Sequence, residues 1–493
     1  MPGEEELIQS RREKLARLRA RGIDPYPART ARTHTAADAV ATFERWEADG
    51  AQGDVPAVSV AGRITAMRDM GKAAFLDLRD GSGRIQCYLK KDLVGEEAYA
   101  GLADLDLGDF VGVTGPLFRT RTQEITVEAR SYQVLAKALR PPPEKWHGIE
   151  DVEIRYRQRY LDLMTNEEVR AIFRTRAAVI ASIRRFLDGR GFIEVETPVL
   201  QPEAGGAAAT PFVTHHRALD QDFFLRISLE LHLKRLIVGG FDRVYEMSRI
   251  FRNEGVSWKY NPEFTMLETY QAYADYNDVA RMVEEMVGGA ARDVLGSTIV
   301  RFGEHELDLT PPWRRVTMRD ALIEHAGIDF EEFRTRDLLL EELQRRKIEV
   351  DAGWSWGRLL DEAVSVYVEP KLIQPTFLID YPKEISPLAK SKPDDPHIVE
   401  RFEVFCAGFE LGNAYSELND PVDQRERFEV QARLAAAGLE EVETLDEDFL
   451  VALEHGMPPT GGLGMGIDRL VMILTGHTSI REVILFPQLR RRE

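Results

Sequence analysis

Chemistry in this chain concentrates where charged and aromatic side chains recur at strand spacing. In the stretch YEMSRIFRNEGVSWKYNPEFTMLETYQAYADY, Tyr245 to Tyr276, two strand-like runs flank a loop from Gly255 to Tyr260. Alternate residues of a strand point to one face. Arg252 and Glu254 therefore share a face, as do Phe264, Glu268 and Tyr270 on the return run. Arg and Glu are rarely buried unpaired, and a guanidinium presents a planar fork to phosphate or carboxylate oxygens. An amphipathic hairpin with one solvated face is the competing reading. A second set lies in RFEVFCAGFELGNAYSELNDP, where Asn413, Tyr415 and Glu417 fall on one strand face. Glu403 and Glu410 are an odd number of residues apart and would face opposite ways on one straight strand. A turn at Ala407-Gly408 would make a hairpin and could bring them together. Two converging carboxylates suit magnesium, which takes oxygen ligands and often only one or two from the protein; an ordinary hairpin with surface glutamates is the alternative.

The elements that must hold these residues follow from pattern. The chain of 493 residues is too long for one core, so two or three domains are expected. Residues 4 to 22 read as a helix stopped by GIDPYP and carrying Arg11, Arg12, Lys14, Arg17, Arg19 and Arg21. Such a run is usually a solvated face. With a net charge of -19, which argues against a general polyanion binder, it is also the best place for an RNA-backbone contact. From Val58 to Leu135, five short strands with a helical piece between the third and fourth fit a closed barrel of the OB type. Such barrels stack bases on exposed aromatics, and Phe75 is either such a platform or core. Pro141 to Pro143 mark a semi-rigid boundary. The run AIFRTRAAVIASIRRFLDGRGF has helical apolar spacing ended by Gly189 and Gly191, and the strand IEVETPVL follows. HGMPPTGGLGMGIDRLVMILTG reads as a glycine-rich turn before an apolar helix bearing Arg469. Cys87 and Cys406 sit among apolar neighbours, as buried thiols rather than a disulfide or metal site. No apolar run approaches the roughly 18 residues of a membrane span and no signal-peptide core opens the chain, so a cytoplasmic protein is expected.

FRNEG followed by NPEFTMLE resembles the second signature motif of class II aminoacyl-tRNA synthetases, in its lysyl form; G-L-G-M-G-I-D-R-L is similar to the third, and the helix, strand and Pro198 to the first. The resemblance covers nearly the whole chain. It implies an α+β architecture: an N-terminal OB-fold β-barrel, then a class II catalytic domain on an antiparallel β-sheet flanked by helices. The expected boundaries are 1–56 for the basic helix and lead-in, 57–140 for an anticodon-binding barrel and 141–170 for a linker. The catalytic domain would take 171–493, with a helical insertion around 310–350 in which no chemistry is visible.

For the site, the resemblance makes Arg252 and Arg469 the catalytic arginines. Arg252 would hold the ATP α-phosphate and the amino-acid carboxylate, Glu254 would read the adenine, Phe264 would stack on it, and Arg469 would lie against the adenine and γ-phosphate. Lys259, Tyr260 and Asn261 of the loop join the ATP set, with Glu403. Glu403 and Glu410 would hold Mg2+. Lysine would meet Glu230 at its α-ammonium, Asn413 at its carboxylate, and Glu417 with Tyr270 at its ε-ammonium; Glu268 lies close by and Tyr415 shares their face. From spacing alone, Glu230 equally suits the N-terminus of a helix. On the barrel, Phe75 would stack the central anticodon base while Arg68, Gln86 and Glu124 contact base edges, a role that suits Arg and Gln. A homodimer is implied, with Arg184, Phe186 and Pro198 at its interface. The implied activity joins L-lysine to tRNA(Lys) through a lysyl-adenylate made from ATP.

The sequence departs from the family at Lys259-Tyr260, where Arg-His is common, at Thr210, where arginine is usual, and at His232 in place of tyrosine. The first departure bears on pyrophosphate handling. Two rivals remain: a paralogue that lysylates a protein, against which the barrel argues, and a non-catalytic RNA-binding relative, against which Arg252, Glu403, Glu410 and Arg469 argue.

Overall fold

The computed structural model describes residues 3–143, 149, 151–436 and 446–490. The chain divides into two units, Met1–Ile149 and Glu150–Glu493. Residues 144–148 and 150 of the expected linker lie outside the described residues. No described helix is long and apolar enough to cross a membrane.

In the first unit, alternating apolar residues such as Val58, Val60, Leu76, Leu78, Val111 and Val113 turn inward and are buried. Their strands are Ala57–Asp69, Ala73–Arg79, Arg84–Lys90, Phe110–Arg119, Ile125–Glu128 and Ser131–Ala136. They pair in the order first, second, third, fifth, fourth, sixth, and a further pairing of the first with the fourth closes the barrel. The helical piece lies between the third and fourth strands, as expected. The last expected strand is instead two. The Ala129 N–H donates to the Tyr88 carbonyl and the next, Arg130, to Thr114, so the chain changes pairing partner there. Gly115 makes the crossing possible: a Cβ on it would stand 2.8 Å from the Glu128 carbonyl carbon.

Most basic residues of the helix Glu4–Ala20 are engaged within their own unit. Arg11 is buried and donates to the carbonyls of Leu107, Ala138 and Arg140. Lys14 pairs with Asp106, and Arg17 and Arg21 both pair with Asp104. These cations fasten the helix to its own unit. Arg12 and Arg19 remain exposed.

The second unit is built on an eight-stranded sheet. Its order is Arg314–Thr317, Thr376–Pro382, Ile398–Cys406, Phe409–Ser416, Thr460–Gly466, Glu263–Ala272, Arg243–Phe251 and Ile193–Glu194. The inner pairings are antiparallel and the two outermost are parallel. The predicted long helix spans Glu167–Gly189, and its stripe of Val179, Ile183 and Leu187 joins the core. Val283, Met286 and Val287 of Tyr276–Leu295 and Val471 of Ile467–Thr475 complete that core. Each such side chain contributes roughly 1.5–3 kcal/mol on burial, which makes this the anchored side of the sheet.

Two expectations change here. TGGLGMG is a central strand, Thr460–Gly466, and not a turn; glycine is tolerated in it because neighbouring side chains need the space. The helical insertion runs past 350, through Met318–Ala326, Arg336–Arg345 and Trp356–Tyr367, around its own core of Leu322, Leu339, Leu343, Leu359 and Leu360.

Candidate active site

The strand Arg243–Phe251 ends one residue before Arg252, and Glu254 lies in the loop beyond, so they do not share a strand face as expected. Arg252 keeps one further link to the return strand, its N–H donating to the Pro262 carbonyl. Its guanidinium lies 5.4 Å from the Phe264 ring centre and donates to the Ile227 carbonyl. Burial pulls its pKa down, countered by Glu254, Glu410 and Glu268 around it. On the return strand Phe264, Glu268 and Tyr270 do share a face by alternation. Asn261 is buried and committed to structure: its side chain donates to the Glu263 carbonyl and accepts from the Gln488 N–H.

The hairpin Ile398–Cys406/Phe409–Ser416 turns at Ala407 (φ 54°) and Gly408 (φ 74°), the paired left-handed conformations that fit a tight two-residue turn. Its register shifts between Val404, opposite Gly412, and Phe405, opposite Glu410. This bulge changes the parity of the second strand and turns Glu410 to the face that carries Glu403, Asn413, Tyr415 and Glu417. Arg401, two residues before Glu403, donates to Asn413 Oδ1 at 3.1 Å and to Glu403 Oε1 at 2.7 Å. Tyr381 donates to the other Glu403 oxygen. Burial pushes Glu403 up to about 7; Arg401 opposes this and Glu410 adds to it. Arg469 donates to the carbonyl and the side chain of Glu410 and lies 5.7 Å from the Tyr260 ring centre. Lys259 lies 5.1 Å from the Trp258 ring.

Between the two hairpins runs the glycine strand: Gly464 opposes Glu268 and Asn413, and Gly462 opposes Tyr270 and Tyr415. A Cβ on Gly462 would collide with the Glu417 carboxylate and stand 2.7 Å from the Tyr270 ring. The bare backbone makes room for three glutamates. Glu268 is buried and accepts from Ser228, from the Leu229 N–H and from Tyr270. Burial, with Glu230 nearby, pushes it up to about 7 against these donors. Glu230 opens the helix Glu230–Val238 and accepts from Tyr415 through both oxygens, at 2.7 and 2.6 Å. The helix N-terminus expected for it is observed. Glu417 is buried, and neither of its oxygens receives a well-oriented hydrogen bond. Burial pushes its pKa well up. Glu230, Glu268, Glu417, Arg252 and Arg469 line a cavity of about 930 Å³, with Glu410 but not Glu403 in its wall. Buried carboxylates, arginines and an aromatic plane around one cavity can seat a cationic amino acid beside a nucleotide.

A family model described as class II tRNA synthetases (D, K and N) matches residues 151–490. This chain belongs to that family. A model for an OB-fold nucleic acid binding domain matches residues 58–135 of the synthetase. The lysine–tRNA ligase of Dehalococcoides mccartyi is 58% identical to it over 99% of this chain and 98% of the relative. Those of Moorella thermoacetica and Bacillus subtilis are 54% and 50% identical, covering 100% and 98% of this chain and 99% and 97% of theirs.

The synthetase barrel brings its expected residues together. Strand register places Phe75 opposite Arg68 and Tyr88, and Gln86 opposite Asp77 and Thr126, on one face. Phe75 is half-exposed against Tyr88, ring centres 4.9 Å apart, and Phe118 adds its edge to Tyr88 at 6.0 Å. Arg84 joins Asp77 to Glu124, and Glu124 accepts from Gln86. Sequence reading missed Arg84, Tyr88 and Phe118, although period-two spacing from Gln86 would have found the first two. It missed Arg401 in the same way, and Lys234 one helical turn beyond Glu230. It also found no chemistry in the insertion, yet Trp354, Trp356, Arg358 and Asp361 line the cavity; only folding brings them there.

Proposed function

We propose that this synthetase is a lysine–tRNA ligase. The observation that carries this reading is the buried group Glu230, Glu268 and Glu417 opposite Arg252. A buried ammonium needs carboxylate partners, and a pocket built for one rejects neutral isosteres because its own carboxylates would be left unpaired. The whole-length similarity to lysine–tRNA ligases supports the same reading.

Glu230 receives the α-ammonium, and Glu417 with Tyr270 the ε-ammonium, with Glu268 and Tyr415 bracing them. Arg252 and Asn413 hold the carboxylate. Phe264 and Glu254 take the adenine, while Arg469 and the Lys259–Tyr260 loop meet the distal phosphates. A lysine carboxylate oxygen attacks the α-phosphorus in line and pyrophosphate leaves; a terminal tRNA ribose hydroxyl then attacks the carbonyl and AMP leaves. Positioning and charge neutralisation drive such a step. Glu403 and Glu410 are oxygen donors on one face of the hairpin, the donor type magnesium takes, and would hold it there. When bound, the ion neutralises phosphate charge. Arg469 holds Glu410, and Arg401 with Tyr381 holds Glu403, in place for it.

A homodimer belongs to this reading. Ile193, on the sheet's edge strand, and Val199, Leu200 and Val213 expose apolar side chains around Pro198. Arg184 pairs with Glu194, and Phe186 packs on the core beneath Arg190, so these two brace the surface. The barrel face of Phe75, Arg68, Gln86 and Glu124 reads the anticodon.

ATP–pyrophosphate exchange with each of the twenty amino acids, with and without magnesium, tests the proposal. Magnesium-dependent exchange with lysine alone is expected, followed by charging of tRNA(Lys). Exchange with another amino acid, or none, overturns it.

A further inference from the structure

Behind the wall of the amino-acid pocket lies a fourth charged group that the proposed reaction does not use. Lys234 is fully buried, one turn along the helix from Glu230. Its Nζ lies 2.6 Å from Glu230 Oε1 and also touches Glu417. It sits 5.5 Å from the Tyr415 ring and 5.8 Å from the Phe449 ring. The cavity is lined by Glu230 and Glu417 but not by Lys234, so its ammonium meets them from the side away from substrate. The elements packed here supply Glu230 and Lys234 from the helix, Glu268 and Tyr270 from one strand, Tyr415 from another and Glu417 from the residue just past its end. Arg252 approaches Glu268 from the nucleotide side.

We propose that Lys234 is a positioning residue and internal counter-ion. By touching both Glu230 and Glu417, it opposes the effect of burial on their charge and holds the two carboxylates aimed at the substrate's two ammonium groups. With all three glutamates ionised, one internal ammonium leaves two negative charges unbalanced, which matches the two cationic ends of a dibasic amino acid and not the single one of an amino acid with a neutral side chain. The substrate carboxylate lies outside this balance, against Arg252. A buried charge with no counter-ion costs several kcal/mol and is avoided by taking up a proton. Without Lys234, burial and mutual repulsion of the carboxylates act unopposed, so one more of them than in wild type holds a proton until an ammonium displaces it. Lys234 itself stays an ammonium: burial disfavours its charge, but Glu230 and Glu417 together raise its pKa. This inference rests on the lysine pocket proposed above.

The test compares full-length wild type with Lys234→Met and Lys234→Arg. In Lys234→Met, the KM for lysine in ATP–pyrophosphate exchange should rise about 100-fold at pH 7, with the KM for ATP within twofold. The deficit should shrink toward pH 9, as the protonated glutamate ionises. Calorimetry in two buffers at pH 8 should show close to one more proton released on lysine binding than in wild type. Lys234→Arg keeps the charge and should release no additional proton. A KM for lysine within threefold of wild type overturns the proposal. So does a loss equal at every pH with no additional proton, which would make Lys234 a packing element. If Lys234→Met does not fold, Lys234→Met/Glu417→Gln should, because it removes the uncompensated carboxylate; failure of the double variant to fold also overturns the proposal. Wild type activating a different amino acid would defeat the lysine reading instead, and the variants would then be compared on that substrate.

Discussion

On the barrel, Arg68 and Arg84 flank Asp77, Arg84 reaches Glu124, and Gln86 links Glu124 to Thr126 in one satisfied chain. In the catalytic unit, Glu230, Glu268 and Glu417 crowd in burial around Lys234, and Glu417 lacks any well-oriented hydrogen bond. Similar residue types thus serve opposite ends. The arginines of the barrel face are about half exposed, so exchanging a partner there for a base edge costs little. Recognition is then a sum of modest terms, dominated by aromatic stacking. On the proposed reading, the pocket keeps an imbalance that a cation relieves, and its selectivity comes from the cost of leaving that imbalance in place.

The largest break is Arg252→Ala. Exchange should fall by more than about 1,000-fold, since the fork that places the reacting carboxylate and phosphate is gone, while thermal unfolding stays within a few degrees of wild type. Near-normal exchange would remove Arg252 from the site. Glu417→Gln comes next: kcat/KM for lysine should drop about 100-fold or more and the preference over norleucine should collapse, with KM for ATP unchanged. An intact preference would mean the imbalance is not the source of selectivity.

On the barrel, Phe75→Ala should raise the KM for tRNA by about tenfold, given that stacking is worth roughly 1–3 kcal/mol per base, and leave lysine-dependent exchange untouched. An equal effect on exchange would show that the two regions do not divide the work.

A last effect sharpens the contrast through pH. Burial raises Glu268 to about 7 in the empty pocket, above its ordinary value. Its proton must leave for an ammonium to bind, so affinity for lysine is full above about 7 and is lost as pH falls through it. The KM for lysine should rise about tenfold from pH 8 to pH 6, and a Glu268→Gln variant should lose this dependence. A flat wild-type profile would mean that Glu268 is ionised throughout.

Local pattern determined much of this protein. Period two announced the barrel strands and the faces of Phe264, Glu268 and Tyr270; period 3.6 announced the helix ending near Gly191; Ala407-Gly408 announced a hairpin. Each is a property of neighbours in the chain, where backbone geometry alone decides which side chains share a face. Tertiary structure decided what such rules do not reach. One bulged residue turned Glu410 toward Glu403. A glycine run that reads as a turn became the central strand whose missing side chains make room for Glu417. The basic helix spent Arg11, Lys14, Arg17 and Arg21 on its own unit, and the insertion delivered Trp354 and Arg358 to the cavity. Lys234 belongs with these. Its spacing from Glu230 could be read from the chain, but its contact with Glu417 exists only because a helix and a distant strand bury their charges against each other, where an unmatched charge cannot be left to water.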